Sequence, residues 1–381
     1  MNTKTMIKKA YRVLMLTAVI LVFSGCGRET QKDAFDLIGY KNGHGSGVCM
    51  SSDRYAHNTM SEKQQRVYDE MLDAILNMKE SVRLSTTDRE DVKRCYSAIC
   101  ADYGEIFWVD NCSYTELKLF GKTYAVNFIV TYEYSPEEVA DYQEQMQPVI
   151  DEYLEQLAEC ESDYEKTEML YCKLIQEVAY DMKAENNQNI LSVFLGKRTV
   201  CQGYACATQY LLQKAGIPCV IITGTAMGQP HAWNMVLLDG AYYLLDVTWG
   251  NAEFPGGNES VAGGINYGYL NLTSDELQIN HQPQVDFPLA ACNSIENNYY
   301  VKNDLYFDCW DEELIGAKLA GAFERNRSDV SVKFADEELF ARAKEYFIDG
   351  QHITDYCEGI SQIYYVPDTD LNILTIYFSK I

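Results

Sequence analysis

The chain has 381 residues, 47% of them hydrophobic and 12% aromatic, and carries a formal net charge of −25. That is long enough for two or three domains around a sizeable core, and too apolar for a disordered chain. So acidic a protein repels phosphate backbones, which excludes nucleic acid as a partner.

The first residues read as a leader. Lys4, Lys8, Lys9 and Arg12 precede an apolar run from Leu14 to Phe23, followed by Ser24-Gly25-Cys26. A basic n-region and an h-region too short for a comfortable span make residues 1–25 a signal peptide. Small residues directly before a cysteine resemble the bacterial lipobox, which implies diacylglycerol on Cys26 and a lipid-anchored protein outside the cytoplasmic membrane. Phe23 departs from the usual leucine of that pattern, and the alternative is a secreted protein cut near Cys26. Residues 26–57, with Gly43-His44-Gly45-Ser46-Gly47, read as a tether.

A region spanning 58–135 follows. Ser61 with Gln64 forms a capping box, and apolar pairs near 67/68, 71/72 and 75/76 predict a helix. A second box, Thr87 with Glu90, opens another helix to about residue 100. "EIFWV" at 105–109 precedes "KTYAVNFIVTYEY", whose Tyr124, Val126, Phe128, Val130 and Tyr132 alternate as in a half-buried strand. Ser135-Pro136-Glu137-Glu138 starts the next segment, 136–289, with proline at a first helical position. Helices are expected over 136–159 and 162–180, then one helix followed by strands to Trp249, and a glycine-rich loop at 256–268. The remainder, 290–381, reads as a small α/β unit, with strand-like "NYYVKNDLYF" and "LNILTIYF" around a helix near 335–347.

Twelve cysteines remain after Cys26. They form no compact framework, and no C-x-x-C, H-E-x-x-H or Cys/His cluster points to metal. Most read as small buried hydrophobes. No acidic loop has a calcium-binding pattern, so neither metal nor cofactor is expected.

One cysteine stands apart. In "TVCQGYACATQYLLQKAGIPC", Thr199-Val200 is strand-like, a helix runs to Lys214, and Gly216 and Pro218 end it. Cys201 therefore sits in the first turn, where unpaired N–H groups and the helix dipole favour a negative charge. Gly203 would let another chain segment or a substrate approach closely. Downstream, "HAWNMVLLDGAYYLLDVTW" carries Asp239-Gly240, a strong two-residue hairpin turn. Continued along both strands, that register sets His231 opposite Thr248 and Trp233 opposite Asp246. His231 and Asp246 then share a face as diagonal neighbours, roughly 7–8 Å apart by backbone. A carboxylate there would fix the imidazole tautomer and leave its other nitrogen for a thiol proton.

These motifs, with "YDM" at 180–182 and "YLNLTSDELQINH" ending at His281, resemble the transglutaminase-like superfamily. That resemblance implies an α+β fold, a circularly permuted relative of papain with helices packed on an antiparallel sheet, and a catalytic triad at Cys201, His231 and Asp246. The second oxyanion donor is left open among Gln202, Gln188 and Tyr180. Trp233 and Trp249 are expected to pack the hairpin and wall the cleft, and His281 to be structural. The activity implied is hydrolysis of a protein or peptide substrate, cell-wall peptide included. The alternatives are amine transfer in protein cross-linking and a non-catalytic scaffold of the same fold.

Overall fold

The computed structural model describes residues 54–251 and 264–380. The signal peptide, Cys26, the tether up to residue 53 and the 256–263 part of the glycine-rich loop lie outside the described residues. Among those described, no helix is long and apolar enough to cross a membrane. The chain divides into two compact units, and both are discontinuous in sequence. One holds Met60–Ile99 and Trp108–Val139; the other holds residues 54–59, Cys100–Phe107, 140–251 and 264–380. A short helix, α1 (Tyr55–Asn58), lies in the larger unit together with 290–380.

The smaller unit contains α2 (Glu62–Leu76), β1 (Ser81–Arg83), most of α3 (Arg89–Asp102), β2 (Val109–Leu119) and β3 (Lys122–Tyr132). Ser61 caps α2 with Gln64 reciprocating, and Val67, Met71 and Ile75 are buried along one stripe. The cap of α3 is Asp88 rather than Thr87: its carboxylate accepts from Glu90 N at 3.0 Å. Strand order is β1-β3-β2, antiparallel throughout. Because β3 is central, Ala125 and Asn127 are buried as well as Val126, Phe128 and Val130. "EIFWV" is strand only from Val109 onward.

The larger unit continues with α4 (Pro136–Ala158), capped by Ser135, and α5 (Asp163–Glu177), capped by Ser162. Two short strands, β4 (Ala179–Tyr180) and β5 (Arg198–Thr199), pair in parallel on either side of α6 (Ile190–Phe194). The long helix α7 (Cys201–Lys214) follows, then β6 (Cys219–Ala226), β7 (Gln229–Leu238), β8 (Ala241–Leu245), α8 (Val247–Gly250), α9 (Ser274–Leu277) and β9 (His281–Pro283). The sheet order is β8-β7-β6-β9, all antiparallel. Asp239 and Gly240 both have positive φ, 50° and 82°, the turn that matches strand twist in a two-residue hairpin. Gly216, at φ 83°, closes α7 in the left-handed conformation.

The C-terminal part corrects the reading of "NYYVKNDLYF". Asn298 caps a helical turn, α10 (Tyr299–Lys302), and only Tyr306–Phe307 form a strand, β10. Then come α11 (Glu312–Glu324), β11 (Asp329–Phe334), α12 (Glu337–Ala343), α13 (Ile353–Tyr356), β12 (Ile360–Asp368) and β13 (Ile373–Lys380), in a sheet ordered β10-β11-β13-β12. Cys95, Cys160, Cys172, Cys201, Cys206, Cys219, Cys292, Cys309 and Cys357 are free thiols.

Candidate active site

Cys201 is the first residue of α7, and Val200 before it offers no side chain to the first-turn N–H groups. Two features hold this helix in place. Gly203 packs on β5: a Cβ there would lie 1.9 Å from Thr199 Oγ1 and 3.1 Å from Ser192 Oγ, so it accommodates a neighbouring segment of the same chain. Further along, the fully buried Gln209 accepts from Gly104 N at 2.9 Å and donates to Asp102 O at 2.6 Å. Asn234, on β7, donates to Ala205 O at 3.0 Å and ties the helix to the sheet.

The hairpin register holds only from Leu238↔Ala241 to Asn234↔Leu245. Beyond it the chain turns into α8, so Thr248 is helical and does not face His231. Asp246 is the N-cap of that helix, its Oδ1 accepting from Trp249 N at 3.0 Å. From that position Oδ2 reaches His231 Nε2 at 2.5 Å. Asp246 is wholly buried and accepts a third bond on Oδ2, from His281 Nε2 at 3.0 Å.

Nε2 of His231 is committed to Asp246, and Cys201 lies close enough to act on the same imidazole. Burial opposes a charge on His231, but Asp246 and then Cys201 outweigh it and push the imidazole up to about 10. Burial likewise opposes the Asp246 carboxylate, and His231 and His281 overcome that, holding it well below the usual carboxylate range. An imidazolium facing a sulfur is the partner that a thiolate nucleophile requires. Neighbouring thiols lack it: desolvation pushes buried Cys206 up to about 12.

Cys201 and His231 line a cavity of about 430 Å³ with Tyr180, Met182, Asn187, Gln188, Val200, Gln202, Thr223, Gly224, Pro230 and Ala232. All three oxyanion candidates are therefore at the cavity, in different states. The Gln202 amide donates to Cys206 Sγ at 3.3 Å, back along its own helix, and that of Gln188 donates to Asn187 Oδ1 at 3.0 Å. The Tyr180 phenol is raised by burial and then by Cys201. Trp233 and Trp249 are not among the residues lining this cavity. They lie behind the imidazoles: Trp233 stacks on His231 with centroids 6.0 Å apart, and Trp249 meets His281 edge-on at 4.9 Å. Sequence reasoning missed the tie from Asn234 and the bond from His281; the asparagine of "HAWN" was the signal for the first.

A helix-borne cysteine facing a histidine, itself backed by a buried carboxylate, defines a thiol-dependent acyl-transfer site on an α+β fold. Residues 151–247 match the model of the Transglutaminase-like superfamily. Kyphoscoliosis peptidase of Mus musculus is 27% identical over 173 residues, 39% of this chain, and that of Homo sapiens 26% identical over 173 residues. The chain spans about a quarter of those relatives, 26% of their length. A solved TGase is 13% identical over 44% of this chain and 50% of its own, at a TM-score of 0.27. The periplasmic domain of TgpA from Pseudomonas aeruginosa is 14% identical over 38% of this chain and 64% of its own, at 0.24. Superpositions this loose carry no argument about the fold.

Proposed function

We propose that the protein hydrolyses peptide or amide bonds of a protein or cell-wall peptide through an acyl-enzyme on Cys201, while anchored by lipid on Cys26 outside the cytoplasmic membrane. The observation that carries the reading is the meeting of Cys201, at a helix N-terminus, with His231 in one cavity, the imidazole backed by the buried Asp246. The Cys201 thiolate attacks the carbonyl carbon, and the carbonyl electron pair moves onto oxygen. First-turn N–H groups of α7, with Tyr180, Gln188 or Gln202, would donate to that oxyanion. As the tetrahedral species collapses, the cationic His231 gives its proton to the departing amine and a thioester remains. Water then gives a proton to the neutral His231 and its oxygen to the acyl carbon, releasing the acid and restoring Cys201. Asp246 stays ionised and holds the ring.

None of the cavity-lining residues is a lysine, arginine, aspartate or glutamate, and three carry carboxamides. Such a lining suits an uncharged stretch of polypeptide, whose peptide groups both donate and accept. The decisive experiment incubates the mature protein and Cys201→Ala with peptidoglycan fragments, with protein substrates, and with a glutamine-rich protein plus a labelled primary amine. Cleavage that depends on Cys201 supports the hydrolase. Amine incorporation exceeding cleavage would replace it with cross-linking, and neither activity with a scaffold.

A further inference from the structure

We propose that His281 is a positioning residue of this site: by sharing Asp246 Oδ2 with His231, it limits the charge that the carboxylate gives to the catalytic imidazole. The inference rests on the role of Cys201 and His231 proposed above.

His281 is brought in by β9, which pairs on β6 at Ala226↔His281. The approach is close: a Cβ on Gly224 would lie 2.1 Å from the Gln282 carbonyl oxygen. The ring is 1% exposed, boxed edge-on by Trp233 at 5.1 Å, Trp249 at 4.9 Å and His231 at 5.3 Å. Its Nδ1 meets Asn280 Oδ1 at 2.5 Å, and the amide of Asn280 donates to Asp370 Oδ2 and Tyr269 Oη, each at 3.4 Å. Asn280 Oδ1 and Asp246 Oδ2 can only accept, so the ring serves both contacts with a proton on each nitrogen, held from both sides with Nε2 aimed at Asp246.

His281 does not line the cavity of Cys201. It lines a separate one of about 380 Å³ with Ile222, Trp233, Met235 and Leu277, and so acts on the reaction through Asp246 and His231 rather than on the substrate. Two N–H groups on a single oxygen compete for its charge. Without His281 the carboxylate would bind the His231 imidazolium more strongly, making it a poorer acid toward a leaving amine. The other ionisable groups facing the cluster are few. Cys201 faces His231; the Tyr171 and Tyr269 phenols are kept protonated by burial; Asp275 borders the second cavity; Asp368 and Asp370 lie beyond Tyr269 and Asn280.

The test compares alkylation of Cys201 by iodoacetate, an anion, and by neutral iodoacetamide across pH. The ratio of the two rates reports positive charge beside the sulfur and falls when His231 loses its proton. In folded His281→Met, which has no donor, the fall should move up by about one pH unit. In His281→Gln, whose amide places an N–H near the Nε2 position, it should return toward the native value. An unshifted fall in His281→Met overturns the inference. Should that variant not fold, ring ¹⁵N spectra of the unaltered protein decide: a proton on His281 Nε2 supports the inference, and a bare Nε2 overturns it. If Cys201 of the unaltered protein shows no preference for iodoacetate at any pH, the proposed function falls, and this inference with it.

Discussion

Asp246→Asn removes the charge on which the buried cluster depends, and its cost follows from the imidazole it faces. His231 has an ordinary value of 6.5 and is pushed up to about 10. A raised folded value adds stability that is fully present below the unfolded value and lost as pH rises through the folded one. From those two values the imidazole contributes about 4 kcal/mol at pH 7 and about 1 kcal/mol at pH 9. The depression of the Asp246 carboxyl is the same attraction seen from the acid and is not added. That side of the pair fails only as pH falls through a value well below the usual carboxylate range, so mild acid leaves it intact. In the variant, burial favours a neutral His231, and the contribution disappears. Urea unfolding of both proteins between pH 6 and 9 should show a stability gap that narrows by about 3 kcal/mol from pH 7 to pH 9. A gap independent of pH would refute the reasoning, since Asp246 would then act through packing and its bond to Trp249 N alone. Turnover of the folded variant should also drop, on the order of 10⁴-fold by analogy with serine triads.

Limiting iodoacetamide should label Cys201 ahead of Cys206 and Cys219, both buried and both raised by desolvation; peptide mapping reads the order. Gly203→Ala should cost about 1–3 kcal/mol in chemical unfolding, and Thr199→Ala in the same chain should recover part of it, because the clash is with Thr199 Oγ1. Cys26→Ser should move the protein from the membrane pellet to the soluble fraction or leave it unprocessed, as cell fractionation in a lipoprotein-processing host would show.

The parts of the site legible in the sequence were those whose causes are local. A capping pattern placed α2, Gly216 closed α7, and Asp239-Gly240 set a register that holds over five residue pairs. The same register was carried too far. Asp246 sits where a strand gives way to a helix, and an aspartate at a strand end can serve as cap as readily as cross-strand neighbour. His231 and Asp246 meet all the same, by a route the alternation did not describe. Asp88 over Thr87 was a choice between adjacent capping residues that only tertiary context makes. His281 was harder, because its bond to Asp246, 35 residues away in sequence, depends on β9 pairing with β6. "NYYVKNDLYF" failed for another reason: its aromatic residues favour a strand, but Asn298 caps a helical turn and overrides that preference.

The bonds from Gln209 to Asp102 and Gly104 have a consequence for synthesis. A ribosome delivers Gly104 long before the glutamine that holds it, 105 residues later. At ordinary elongation rates the wait is about 5–20 s. During that interval the 100–107 segment has no α7 to fold upon, and the backbone N–H of Gly104 must find water or a chaperone instead. The helix that presents the nucleophile is thus also the late-arriving clasp on an early piece of chain. A fragment beginning after residue 107 would leave the Gln209 carboxamide sealed in the interior with neither of its partners.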